Sequence, residues 1–176
     1  MNGDEIGEKG DGIIMKVGIV MGSKSDYKVV ERAEKTLDGF SVDYETRIIS
    51  AHRTPAAAEA FARGAEEQGI EVIIAAAGKA AHLGGVLAAY TPLPVIGLPV
   101  LSSTLDGLDS LLSMVQMPKG VPVATVAIDG AENAALFAVQ ILSVKYPALR
   151  EAMYTYKANM EREVLQADAA FQEERA

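Results

Sequence analysis

Short apolar runs alternate with stretches in which apolar residues return every three or four positions, and this alternation continues along most of the chain. Residues 17–21 form the first run, which ends at Gly22, and Val29, Val30, Ala33 and Leu37 then recur at helical spacing up to Gly39. A second strand is predicted over 42–49. Pro55 stands where the first turn of a helix tolerates it, and Ala58, Phe61, Ala62 and Ala65 make one face of a helix that Gly69 stops. Further strands are predicted at 72–76, 94–100 and 121–128, with a helix of small residues over 80–90 and another helix over 131–143. Apolar strands separated by helices predict a parallel sheet covered on both faces, an α/β domain over residues 16–145.

Beyond Tyr146 and Pro147, Leu149, Met153, Tyr156, Met160 and Val164 follow one another at helical steps. Residues 146–176 therefore read as a C-terminal helix and tail. Its apolar stripe covers either its own domain or a neighbouring subunit, and the pattern leaves both readings open. Residues 1–15 carry several glycines and charges with no basic start followed by an apolar stretch; they read as a flexible extension rather than a signal peptide.

Composition narrows the chemistry. The chain has 176 residues, which suits one domain, and its net charge of −8 argues against a general binder of nucleic-acid backbones. No charge falls between residues 80 and 105, but Pro92, Pro94 and Pro99 break that stretch into pieces too short to span a membrane. A buried helix followed by a buried strand is expected there. With no secretory signal or membrane anchor in view, the cytoplasm is the expected location. The absence of Cys excludes disulfides, thiolate nucleophiles and Cys-held metals, and with only His52 and His82 no HExxH metal motif exists.

Ligands of open parallel sheets bind beyond the carboxyl ends of the strands, so the loops leaving each strand carry the functional signal. The first, Gly22-Ser23-Lys24-Ser25-Asp26, couples a glycine turn to hydroxyls and a carboxylate at a helix start. It fits a phosphate site, and equally a simple helix cap. The second, Ser50-Ala51-His52-Arg53-Thr54-Pro55, sets an imidazole beside a guanidinium. Arg suits bidentate binding of phosphate or carboxylate, and His suits proton exchange near neutral pH. A lone His is commonly structural, but its position beside Arg53 at the functional edge favours catalysis. The third loop, residues 76–85, places His82 at the same edge among residues so small that a ligand can lie directly on the backbone. The fourth, residues 101–107, offers hydroxyls and Asp106, which read first as caps of the following helix.

Taken together, the segments VGIVMGSKSD, IISAHRTP, EVIIAAAGKAAHLGG, LPVIGLPV, LDGLDSLLSMVQMPKGVPVATVAI and AENAALFAVQIL resemble, in order, the bacterial-type (class I) N5-carboxyaminoimidazole ribonucleotide mutase family of purine biosynthesis. The resemblance covers nearly all of residues 16–145. It implies a three-layer, flavodoxin-like α/β domain, no metal, no organic cofactor, and a homo-octamer with active sites near subunit contacts. The implied reaction moves a carboxylate from the exocyclic nitrogen of an aminoimidazole ribonucleotide to carbon 4 of its ring, by decarboxylation and recarboxylation. His52 is then the implied acid/base. Ser23, Ser25, Asp26 and Arg53 match positions that hold the ribonucleotide, with Arg53 on its phosphate. Ser50, Ala51, Gly78, Ala80, His82 and Leu83 match positions around the carboxylate and CO2 region.

The chain departs from the family pattern GAGGAAHLPG at two places, with Lys79 at the second Gly of the pair and Gly84 in place of Pro. Lys79 bears on the geometry of its loop, since a Gly there often serves a positive φ, and it also brings a charge near an anionic substrate. Two rival functions stay in view. The animal-type relative carboxylates aminoimidazole ribonucleotide directly with CO2 but lacks the AAHL segment and its His. A non-catalytic domain binding a nucleotide or phosphosugar would leave His52 dispensable.

Overall fold

Strands β1 (Lys16–Met21), β3 (Ile70–Ala77) and β4 (Val95–Pro99) are apolar at nearly every position because helices cover both of their faces. In the computed structural model, which describes residues 15–175, they form the centre of a five-stranded, wholly parallel sheet. Strands β2 (Asp43–Ile48) and β5 (Ala124–Thr125) complete it at the edges, in the order β2-β1-β3-β4-β5. Except for Met15, whose carbonyl accepts from the Asp43 N–H at 3.0 Å, the N-terminal extension lies outside the described residues.

The period of two along each strand divides the core. Ile19, Met21, Val72, Ile74 and Ala76 face helices α1 (Tyr27–Gly39), α5 (Ala131–Leu142) and the start of α6 (Pro147–Glu173). Val20, Ile73, Ala75 and Ala77 face α2 (Pro55–Gly64), α3 (Leu83–Ala88) and Met114 of α4 (Leu108–Val115). Helix, sheet and helix thus make three layers in the flavodoxin-like strand order. Gly18 belongs to this packing: a Cβ on it would stand 3.0 Å from Phe61 Cζ and 3.1 Å from Ile70 Cδ1, so the absence of a side chain lets α2 lie close to the sheet.

Several elements differ from their expected extents. The strand expected over 121–128 pairs at only two positions, Ile96 with Ala124 and Gly97 with Thr125. Pro122 has no N–H to give a ladder, and the chain turns away at Asp129, whose N–H reaches the Pro99 carbonyl at 2.8 Å. The helix expected from residue 80 begins at Leu83, since Lys79 takes a left-handed φ of 58° and the next two residues form a turn. The helix after Pro55 gives way at Gly64 to turns that end at Gly69, φ 75°. Helix α4, not delimited by the apolar spacing, buries Ser110 and Met114 and leaves Leu108 and Leu112 exposed. The uncharged stretch over 80–105 resolves into α3 and β4, and no helix among the described residues is long and apolar enough to cross a membrane.

Helix α6 has 27 residues, about 40 Å of helix. Its first two turns dock on the domain through buried Leu149 and Met153, and Tyr156 lies against Phe40 with ring centroids 5.7 Å apart. The rest projects, leaving Val164 70% and Leu165 62% exposed.

Candidate functional site

A parallel sheet leaves a crevice where successive connections depart to opposite sides, here between β1 and β3. A cleft of about 590 Å³ opens there, at the carboxyl ends of the strands, and all four loops singled out in the sequence contribute to its lining.

The first loop builds itself before it meets any ligand. Ser23 Oγ accepts from the Ser25 N–H at 3.3 Å, and the Asp26 carboxylate accepts from the Ser23 N–H at 3.1 Å, a reciprocal cap on the 3-10 turn Lys24–Asp26 that leads into α1. Ser25 Oγ also lies 2.9 Å from Ser23 Oγ and donates to Asp26 Oδ1 at 3.2 Å. Capping and cleft lining are therefore properties of the same side chains. Asp26 is buried, and burial holds its carboxyl above the ordinary value of 3.8 although the Ser25 hydroxyl, the Ser23 amide and the Arg53 charge all pull the other way.

The second loop closes on itself through Thr54, whose Oγ1 accepts from the Ser50 N–H at 2.9 Å, and Pro55 then opens α2. Arg53 ties this loop to the first. Its Nη2 donates to the Gly22 carbonyl at 2.9 Å and its Nε to Ser50 Oγ at 3.3 Å. Ala51, His52 and Arg53 face the cleft from this side.

The third loop comes from β3. Gly78 lies close under the neighbouring strand end, where a Cβ would stand 3.4 Å from the Val100 carbonyl oxygen. Ala77, Ala80 and buried Leu83 give this wall an apolar surface. His82 is not part of the cleft lining proper but reaches it through His52: His82 Nδ1 lies 3.0 Å from His52 Nε2, with the rings nearly perpendicular at 82°. In such a contact one ring donates and the other accepts, so the tautomer of one histidine is tied to that of the other.

The structure thus gathers Ser23, Ser25, Asp26, Ser50, Ala51, His52, Arg53, Gly78, Ala80 and Leu83 around one cavity, with His82 joined to it by hydrogen bond. Two contributions were not among the residues assigned to the site from the sequence, although both Lys79 and the fourth loop stood out there. Lys79 lines the cleft, and so does the start of the fourth loop, Leu101, Ser102 and Ser103. The signal for the latter was present in the position of that loop after a strand. Its hydroxyls and Asp106 read as caps, but no described side chain caps α4 or the 3-10 turn Leu105–Gly107 before it; Ser102 instead accepts from the Thr104 N–H at 3.1 Å and donates to Asp109 Oδ1 at 2.8 Å. Among the described residues, no three His, Asp or Glu side chains gather closely enough to hold a metal ion.

Comparison with known proteins places this site in a family. The chain is 63% identical over 147 residues to the N5-carboxyaminoimidazole ribonucleotide mutase of Pyrococcus abyssi, spanning 84% of each chain. It is 58% identical over 151 residues to the protein of the same name from Thermotoga maritima, spanning 86% of this chain and 88% of that one. The crystal structure of Treponema denticola PurE superposes with a TM-score of 0.79 at 27% identity, covering 88% of this chain and 96% of that chain. The sequence model of AIR carboxylase matches residues 16–163, which takes in the whole sheet, all four loops of the cleft and the docked part of α6. The chain belongs to the AIR carboxylase family.

Proposed function

We propose that this protein is the mutase that converts N5-carboxyaminoimidazole ribonucleotide into 4-carboxy-5-aminoimidazole ribonucleotide. The observation that carries the reading is the meeting of both histidines, 3.0 Å apart, on the edge of a cleft that also holds Arg53, in a chain identical at more than half of the aligned positions to relatives that bear that mutase's name.

Arg53, anchored between Gly22 and Ser50, presents a guanidinium to the phosphate, and Ser23, Ser25 and Asp26 offer hydroxyls and a carboxylate to the ribose. The His52 imidazolium gives its proton to the exocyclic nitrogen as the N–C bond of the carbamate breaks, releasing CO2 and an amino group. The electron-rich carbon 4 then attacks that CO2, forming the new C–C bond. The neutral imidazole takes the proton displaced from carbon 4 and returns to its starting state, so one group serves both proton transfers and nothing is consumed. Ala77, Ala80 and Leu83 make the apolar wall that keeps CO2 from hydrating between the two steps, with Ala81 buried behind them. His82 fixes the ring of His52 through their shared hydrogen bond. We place the enzyme in the cytoplasm as a homo-octamer, with the projecting part of α6 reaching neighbouring subunits.

Ultraviolet assays of the purified protein test this. The mutase should act on N5-carboxyaminoimidazole ribonucleotide without added bicarbonate and show no comparable carboxylation of aminoimidazole ribonucleotide. A preference for aminoimidazole ribonucleotide with CO2 would instead make it a direct carboxylase, and inactivity on both would leave a binding domain.

A further inference from the structure

Lys79 is set apart by three observations. It lines the cleft with its side chain exposed, and besides the histidine, Arg53 and Lys79 are the two basic side chains of that lining, against the single carboxylate of Asp26. Its backbone takes φ 58°, a left-handed conformation that side-chain-bearing residues rarely adopt and that clusters at functional sites. Its charge is also unspent. Arg53 is engaged by the Gly22 carbonyl and Ser50, whereas among the described residues no carboxylate pairs with the Lys79 ammonium.

From these we infer that Lys79 is a substrate-recruiting residue, a cation at the mouth of the cleft that draws in and holds an anionic ribonucleotide. The inference rests on the function proposed above for the identity of that ligand. The chain's net charge is −8, so the protein as a whole repels a substrate bearing a phosphate and a carboxylate. A solvent-facing ammonium at the entrance reverses the field locally. Lys79 is exposed and makes no hydrogen bond to His52 or His82, which pair with each other, so its charge acts on binding rather than on the chemical step.

The test compares wild type with Lys79→Met, which keeps the length and loses the charge, and Lys79→Arg, which keeps the charge. At low ionic strength Lys79→Met should raise KM about tenfold with kcat unchanged, the gap should close in about 0.5 M salt, and Lys79→Arg should stay near wild type. Binding of ribose 5-phosphate, followed by calorimetry at low ionic strength, should weaken in Lys79→Met in the same salt-dependent way. An unchanged KM and unchanged ribose 5-phosphate affinity in Lys79→Met would overturn the inference, as would a loss that salt does not affect or that Arg does not rescue. If wild type fails to turn over the mutase substrate, the proposed function falls, while the ribose 5-phosphate measurements still decide the role of Lys79.

Discussion

Asp26 shows how a single side chain can serve the site at the expense of the fold. Its carboxylate closes the first loop by accepting from Ser23 and Ser25, yet burial holds its pKa above 3.8. On acidification the native state takes up this proton before the unfolded chain does. Ionisation of Asp26 therefore weighs against folding at neutral pH, and that penalty fades as pH falls through the raised native value and below 3.8. Asp26→Asn should accordingly be more stable than wild type at pH 7 and lose the advantage as pH approaches and passes below 3.8. Denaturant titrations across this range check it; a variant less stable at pH 7 would contradict it. His52 makes the opposite case, a side chain with little structural duty: it is exposed, and its hydrogen bond runs to His82. His52→Asn should lower kcat by about 10²–10⁴-fold while nucleotide affinity, measured by calorimetry, stays within a few-fold of wild type. Wild-type turnover in that variant would remove His52 from the chemistry.

Among the elements, the loop from β3 to α3 holds the clearest local conflict between sequence and backbone. Lys79 occupies a left-handed position, a conformation that costs a side-chain-bearing residue on the order of 1 kcal/mol relative to Gly. Lys79→Gly should raise the melting temperature by a few degrees, which calorimetry reads directly. An unchanged or lower melting temperature would mean the lysine side chain contributes stability that outweighs the strain. The same loop shows why some elements were legible and others were not. Strands β1, β3 and β4 carry apolar residues on both faces, and helices α1 and α5 show their buried stripes at regular spacing, so periodicity finds them. The start of α3 depends on one backbone dihedral at Lys79, which no apolar period encodes. Strand β5 was overread because apolar spacing does not register that Pro122 lacks an N–H or that an edge strand has one partner. The site was legible as four loops after four strands, and its chemistry as two histidines and an arginine. The mutual contact of His52 and His82 was not, because residues 30 apart meet only through the pairing of β2 and β3 on either side of β1, which brings their loops together.

For the whole molecule, α6 divides into two parts with different duties. Leu149 and Met153 are core residues of the domain, whereas the helix beyond Tyr156 leaves Met160, Val164 and Leu165 in solvent. In the proposed octamer another subunit would cover that stripe. Removing residues 158–176 should therefore leave the fold intact by circular dichroism, yet give smaller particles in light scattering. Particles of unchanged mass would show that the projecting part plays no role in assembly. The central claim concerns a carboxylate that changes its point of attachment within one closed site. It is tested most directly by supplying N5-carboxyaminoimidazole ribonucleotide labelled with ¹³C in its carbamate, in a medium of unlabelled bicarbonate, and following the product by mass spectrometry. The mutase reading predicts that the label is retained in the 4-carboxy product. A product carrying the unlabelled carbon of the medium would show that CO2 escapes and that carbon 4 is carboxylated from solution, contrary to the mechanism proposed for this cleft.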